Sequence, residues 1–170
     1  ELDQMANLYV ASSQLHAKMD SSEVFSVIEQ MLMQFVGAAK IGVFIRDGSW
    51  DNPSLRPIHA FHCDEIKGTT IEWNSIPIGE AAATQVSYIT EPEKAQKENM
   101  PVACIPLLFG AHTIGVIVIY GLLEQKDKFV EVDYELFRLL AEHSSSAIIG
   151  SGLFSRSDGL TDVLSCFDSL

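Results

Sequence analysis

The chain has 170 residues, enough for one domain, and carries 23 Asp and Glu against 11 Lys and Arg, a formal net charge of -12 at pH 7. That balance argues against a nucleic-acid ligand, because phosphate contacts need clustered Lys and Arg, and against an anionic membrane surface; it fits a soluble cytoplasmic protein. At 47% hydrophobic and 20% charged, the chain can bury a real core and is not a disordered polymer.

Met5, Leu8, Leu15 and Met19 recur at helical spacing, which predicts an amphipathic helix over residues 2–19. Asp20 stands three residues before Glu23 and reads as the N-cap of a second helix, with Val24, Ile28, Met31, Leu32 and Phe35 as its apolar stripe. Gly37 is placed to close that helix in a left-handed conformation. The period then changes. Ile41–Arg46 is a β-rich run ending at the turn signal Asp47-Gly48, and Pro53 and Pro57 bracket an expected loop. Strands are expected at Ile58–His62 and Thr70–Trp73, and a short Ala-rich helix at Glu80–Val86 after Ile76-Pro77-Ile78-Gly79. Residues 90–101 are polar, contain two prolines and read as a mobile surface loop.

Val102–Phe109 and Thr113–Tyr120 flank Gly110-Ala111-His112 and form the strongest hairpin signal in the chain. Both arms are almost wholly apolar, so they are expected to be covered on both faces. Within them, Gly115 is expected to admit a neighbouring backbone, and Pro106 to mark an edge or a bulge. A long helix is expected over residues 131–150, with Leu136, Leu140, His143 and Ala147 on one stripe. This order predicts an α+β fold: a mostly antiparallel central sheet, the terminal helices on one face, and the short helix with the 90–101 loop on the other.

With these residues in this order, the chain resembles a GAF domain from about Leu8 to Ile149. The resemblance is carried by the helix pair with its Asp20 break, by IPIGEAAATQV, by the hairpin PVACIPLLFGAHTIGVIVIYG, and by Phe129, Asp133, Leu136, Leu139, Leu140, Ala141 and Ala147. It implies a regulatory domain at residues 1–150, not an enzyme, that senses a small ligand or relays a signal through its terminal helices to an output domain; the alternatives are a ligand-free dimerisation scaffold and, behind it, a small cysteine-dependent enzyme, and any ligand is expected between the sheet and the helix after Gly79. Phe44, Phe61, Trp73, Ile78, Ala82, Ile105 and Leu107 are the candidate lining residues, and an apolar wall with few polar groups suits either a pocket or a closed core. Cyclic-nucleotide-binding members often carry Asn-Lys…Phe-x3-Asp-Glu; here Phe129 and Asp133 match, but Tyr134 stands where the Glu would be. Residues 151–170 read as a linker or the start of an output domain. Asp158, Leu160 and Thr161 resemble the opening of a GGDEF domain, while Asp162, Ser165 and Cys166 depart from it.

The remaining constellations are weak. No apolar run approaches the ~20 residues of a spanning helix, and no signal peptide is evident. The first residue, Glu1, is not Met, which suggests a piece of a longer protein. Cys63, Cys104 and Cys166 are widely spaced, without CxxC, and fit a reducing compartment. His59 and His62 fall on opposite faces of a strand, so HAFHC lacks convergent metal ligands. No nucleophile–base grouping or phosphate loop is visible, and no cofactor is assigned. The terminal helices, 2–19 and 131–150, are expected to form a homodimer, with Tyr9, His16 and Phe154 near the partner.

Overall fold

The computed structural model describes Ala6, residues 20–49 and residues 51–151. The helix expected at 2–19, apart from Ala6, and the tail from Gly152 onward lie outside the described residues, and with them Tyr9, His16, Phe154 and the GGDEF-like segment.

Helix α1 spans Ser21–Met31. Its N-cap is Asp20, whose side chain accepts the Glu23 N–H at 2.9 Å and so satisfies a backbone donor the helix leaves unpaired. The last turn widens into a π-helical stretch, Leu32–Val36, and Gly37 closes it at φ 79°, the left-handed C-cap read from the sequence. Strands β1 (Ala38–Ser49) and β2 (Asn52–Phe61) follow, then β3 (Ile71–Glu72), helix α2 (Ile78–Thr84), β4 (Tyr88–Ile89), helix α3 (Pro92–Glu98), β5 (Ala103–Phe109), β6 (His112–Leu122) and helix α4 (Glu131–Gly150). All pairings are antiparallel, in the spatial order β3-β2-β1-β6-β5-β4.

Side chains alternate between the two faces of the sheet. On one face, Ile41, Val43 and Ile45 of β1, Ile105 and Leu107 of β5, and Ile117 and Ile119 of β6 meet Val24, Ile28 and Leu32 of the first helical segment and Leu136, Leu140 and Ile148 of α4 in the larger core. On the other, Phe44, Cys104, Val116 and Val118 meet Ile78, Ala81 and Ala82 under α2. The architecture is therefore the expected α+β sheet, with the long helix on one face and the short helix on the other. Gly115 makes the centre possible: a Cβ there would strike the Phe44 carbonyl of the neighbouring strand.

Three expectations are corrected. The segment bracketed by Pro53 and Pro57 is strand β2, not a loop. Pro57 is tolerated because it faces the register shift beside Val43/Phe44, and because β3 covers β2 only at Ser54 and Leu55. Asp47-Gly48 does not end β1: the ladder continues to Ser49↔Asn52, with Gly48 at φ 79° inside it. Residues 90–101 are not a loop throughout but contain α3. Pro92 occupies its first position, Ala95 is its buried anchor and Asn99 ends it at φ 52°. A solvated helix with a single buried residue has the composition of a loop, and that concealed it.

Candidate functional site

The α2 face is assembled by small residues that let the layers approach. Gly79 sits so close to β3 that a Cβ would come within 2.7 Å of the Trp73 carbonyl carbon. Two side-chain hydrogen bonds then fix α2 to the β5–β6 hairpin: Thr113 Oγ1 donates to the Ala82 carbonyl (2.7 Å) and Gln85 Nε2 to the Ala111 carbonyl (2.6 Å). In β1, Gly42 leaves a notch filled by Ile66, Tyr120 and Phe44.

The interior below α2 includes Phe44, Leu55, Cys104, Val116 and Val118, all fully buried. Cys63 Sγ donates to the Ile41 carbonyl at 3.1 Å, and Cys63 and Cys104 are both buried. Burial pushes both thiols above their ordinary range, with Glu65 and Asp64 adding to the effect at Cys63. Burial, and then the neighbouring Cys63, Cys104 and Glu65, raise the Tyr120 phenol as well, so it remains a hydrogen-bond donor at neutral pH.

The seven candidate pocket residues divide between the two faces. Phe44, Ile78 and Ala82 belong to the α2-side core and Trp73 packs against it. Ile105 and Leu107 lie in the helix-side core, where Phe61 packs too. A strand presents alternate residues to opposite faces, so the α2-side residue of β5 is Cys104, one position from the expected Ile105. Arg46, two residues beyond Phe44, was not among the candidates. Its guanidinium lies 4.4 Å from the centre of the Trp73 ring, in a polar groove of about 870 Å³ with Asn52, Ser54 and Asn74. Strand parity alone could have found it.

The second feature lies where the sheet hands over to α4. Lys126 packs along Gly37, and its Nζ donates to Asp133 Oδ2 at 2.7 Å; the Val130 N–H donates to the same oxygen at 2.7 Å. Asp133 is 1% exposed, and its other oxygen, Oδ1, has no hydrogen-bond partner. The Leu123 N–H donates to the Gly37 carbonyl at 2.8 Å. The end of the first helical segment is thus clamped to the start of α4. Phe129 packs edge-on against Phe137, with ring centres 5.2 Å apart, and helps fix the same corner. Asp133 was legible from its place four residues after Phe129; Lys126, seven residues before Asp133, was not singled out, although the Lys of the Asn-Lys…Phe-x3-Asp-Glu pattern was a signal for it, and only its contact along Gly37 is made by the chain reversal. Beside this clamp, a cleft of about 510 Å³ opens between α3 and the end of β6.

The histidines separate as expected for His59, which faces α1: its Nε2 is 2.9 Å from Glu29 Oε2 and its ring stacks on Phe25. His62, at φ 55°, folds back to stack on Phe61 with ring centres 4.0 Å apart instead of projecting to the opposite face. The buried stripe of α4 passes through Ser144 and Ser145, leaving His143 only partly covered. Among the described residues no group of three or more His, Cys, Asp and Glu side chains is placed to hold a metal, and no helix is long and apolar enough to cross a membrane.

Comparison with known proteins places this arrangement. The model of a family described as the GAF domain matches residues 20–149. Solved structures share the fold. The GAF domain of a phosphoenolpyruvate-protein phosphotransferase from Coxiella burnetii is 13% identical, with TM-score 0.68, covering 91% of this chain and 97% of that one. A GAF domain/HD domain protein from Geobacter sulfurreducens is 15% identical, with TM-score 0.63 and coverage of 82% and 99%. The GAF domain of a two-component sensor histidine kinase from Bacillus halodurans is 15% identical, with TM-score 0.59 and coverage of 81% and 99%. No curated protein matches the sequence.

Proposed function

The chain belongs to the GAF domain family, and from that premise we propose that it is a regulatory domain of a signalling protein that relays a signal through its terminal helices to an output domain. The observation that carries this reading is the shared sheet. Consecutive residues of β1 and β6 serve different cores, as Val43 and Phe44 do, or Ile117 and Val118. Protein interiors are close-packed, so a change of volume under α2 displaces the strands and, through them, α1 and α4. The occurrence of such domains in a sensor histidine kinase and a GAF domain/HD domain protein supports the reading. A small ligand entering beneath α2 is one source of that change; Phe44, Trp73, Ile78 and Ala82 are the candidate residues it would meet. The helices 2–19 and 131–150 pair two copies in a homodimer, and residues 151–170 lead to the output domain, of the kind that Asp158, Leu160 and Thr161 resemble.

The test is Val118→Ala, which empties space on the α2 face only. Amide NMR shifts should then spread to Ile28 in α1 and Leu140 in α4; perturbation confined to the sheet and α2 would sink the relay. Sedimentation at tens of micromolar should give a dimer, and a monomer there would refute the pairing.

A further inference from the structure

The cleft between α3 and the end of β6 is a separate feature from the packed interior under α2. We propose that it binds a small monocarboxylate with an apolar body, and that such a ligand acts on α4 by competing for Lys126. The second half rests on the relay reading above; the first does not.

The cleft, at about 510 Å³, has the size of a small-molecule site. Its lining combines buried apolar residues, Ala95 and Val102, with the partly buried Leu122 and Met100. Polar groups stand around this floor: Lys40 on one side and the amides of Gln96 and Asn99 on the α3 side. Tyr120 is a lining residue too, shared with the α2-side core. An apolar floor with a few donors at its rim suits a ligand with an apolar body and one anionic head.

The charge count favours a single negative charge. Lys40 and Lys126 both line the cleft, but Lys126 is already paired with Asp133, and Glu124 is the one acidic side chain among the lining residues. Lys40 therefore supplies the cation, lying along the bare backbone of Gly121, where a side chain would sit within 3.8 Å of its methylenes. A phosphate dianion would meet Glu124 without a second unpaired cation to offset it.

Coupling to α4 follows from the ion pair. An anion in the cleft attracts Lys126, a lining residue whose ammonium holds Asp133. Asp133 already has one buried oxygen without a partner, so weakening its bond to Lys126 leaves a buried carboxylate held by the Val130 N–H alone. The cost falls on the first turn of α4. By linkage, anything that tightens the Lys126–Asp133 pair must weaken ligand binding equally.

Calorimetric titration of the full 170-residue chain with phenylacetate, at neutral pH, tests the site, with phenylacetamide and inorganic phosphate as controls. Saturable phenylacetate binding with Kd below about 1 mM is expected, at least about tenfold weaker for phenylacetamide and for Lys40→Met. Lys40 is exposed, so Lys40→Met should melt at the parent temperature. No saturation by about 10 mM, equal affinity for the amide, binding unchanged by Lys40→Met, or phosphate binding as tightly as phenylacetate would each overturn the carboxylate assignment. Amide shifts in Asp133–Phe137 on binding are expected as well; phenylacetate bound with those amides unmoved would overturn the coupling to α4 while leaving the site in place.

Discussion

The two faces of the sheet are built from the same strands but differ in kind. The helix face packs long aliphatic side chains from α1, α4 and three strands into one large core, and a buried ion pair locks its corner. The α2 face is a smaller cluster that includes two thiols, closed by a helix of seven residues and tied down by two side-chain hydrogen bonds. Buried apolar area scales with stability, so the helix face holds the fold together. The α2 face is the region that can open at lower cost. A domain that relays signals gains from that division: a deformable input face and a stiff output face share one sheet.

Five substitutions and one labelling experiment would break or sharpen this contrast. The largest effect is expected for Lys126→Met, which leaves Asp133 buried without its cation; breaking such a pair costs about 3–5 kcal/mol in urea unfolding. Lys126→Arg should recover most of the loss, and equal damage from both would show that shape, not charge, matters there. Leu140→Ala on the helix face should cost about 2–5 kcal/mol, from lost burial and the cavity left behind. Ile78→Ala, on the short α2, should fall near the low end of that range, about 2 kcal/mol, because the helix can settle inward. If Ile78→Ala costs more than Leu140→Ala, the ranking of the two faces is reversed.

Thiol alkylation reads the same contrast kinetically. Cys63 and Cys104 are buried, with both thiols held protonated, so native labelling should be slow. It should still be faster than global unfolding allows, and Ile78→Ala should accelerate it severalfold. Labelling that tracks global unfolding alone would show that α2 does not open separately.

The smallest effect concerns the α1 cap. Hydrogen bonds from Ser22 and the Glu23 N–H lower the Asp20 carboxyl below its ordinary 3.8. Its folded value is depressed, so its contribution is present above 3.8 and is lost as pH falls through the lower folded value. Asp20→Asn keeps a capping side chain but removes the titration. Its acid-unfolding curve should lack that component, and an unchanged curve would show that Asp20 does not couple to pH.

What the sequence determined by itself is local. The Asp20 cap, the Gly37 stop and the Gly110 hairpin follow from neighbours within a few residues, and the 2.0 and 3.6 residue periods marked most strands and helices. Asp133 also stood out by its spacing from Phe129. The tertiary structure alone decided the rest, because those features join residues far apart in the chain. Which of Cys104 and Ile105 faces α2 depends on how β5 registers against β6, and a shift of one residue exchanges the faces. Pro53 and Pro57 could enter a strand only because a bulge and an uncovered edge removed the need for their missing donors. Lys126 gained its contact along Gly37 from a chain reversal, and the cleft beside it exists only where α3, β1 and β6 converge.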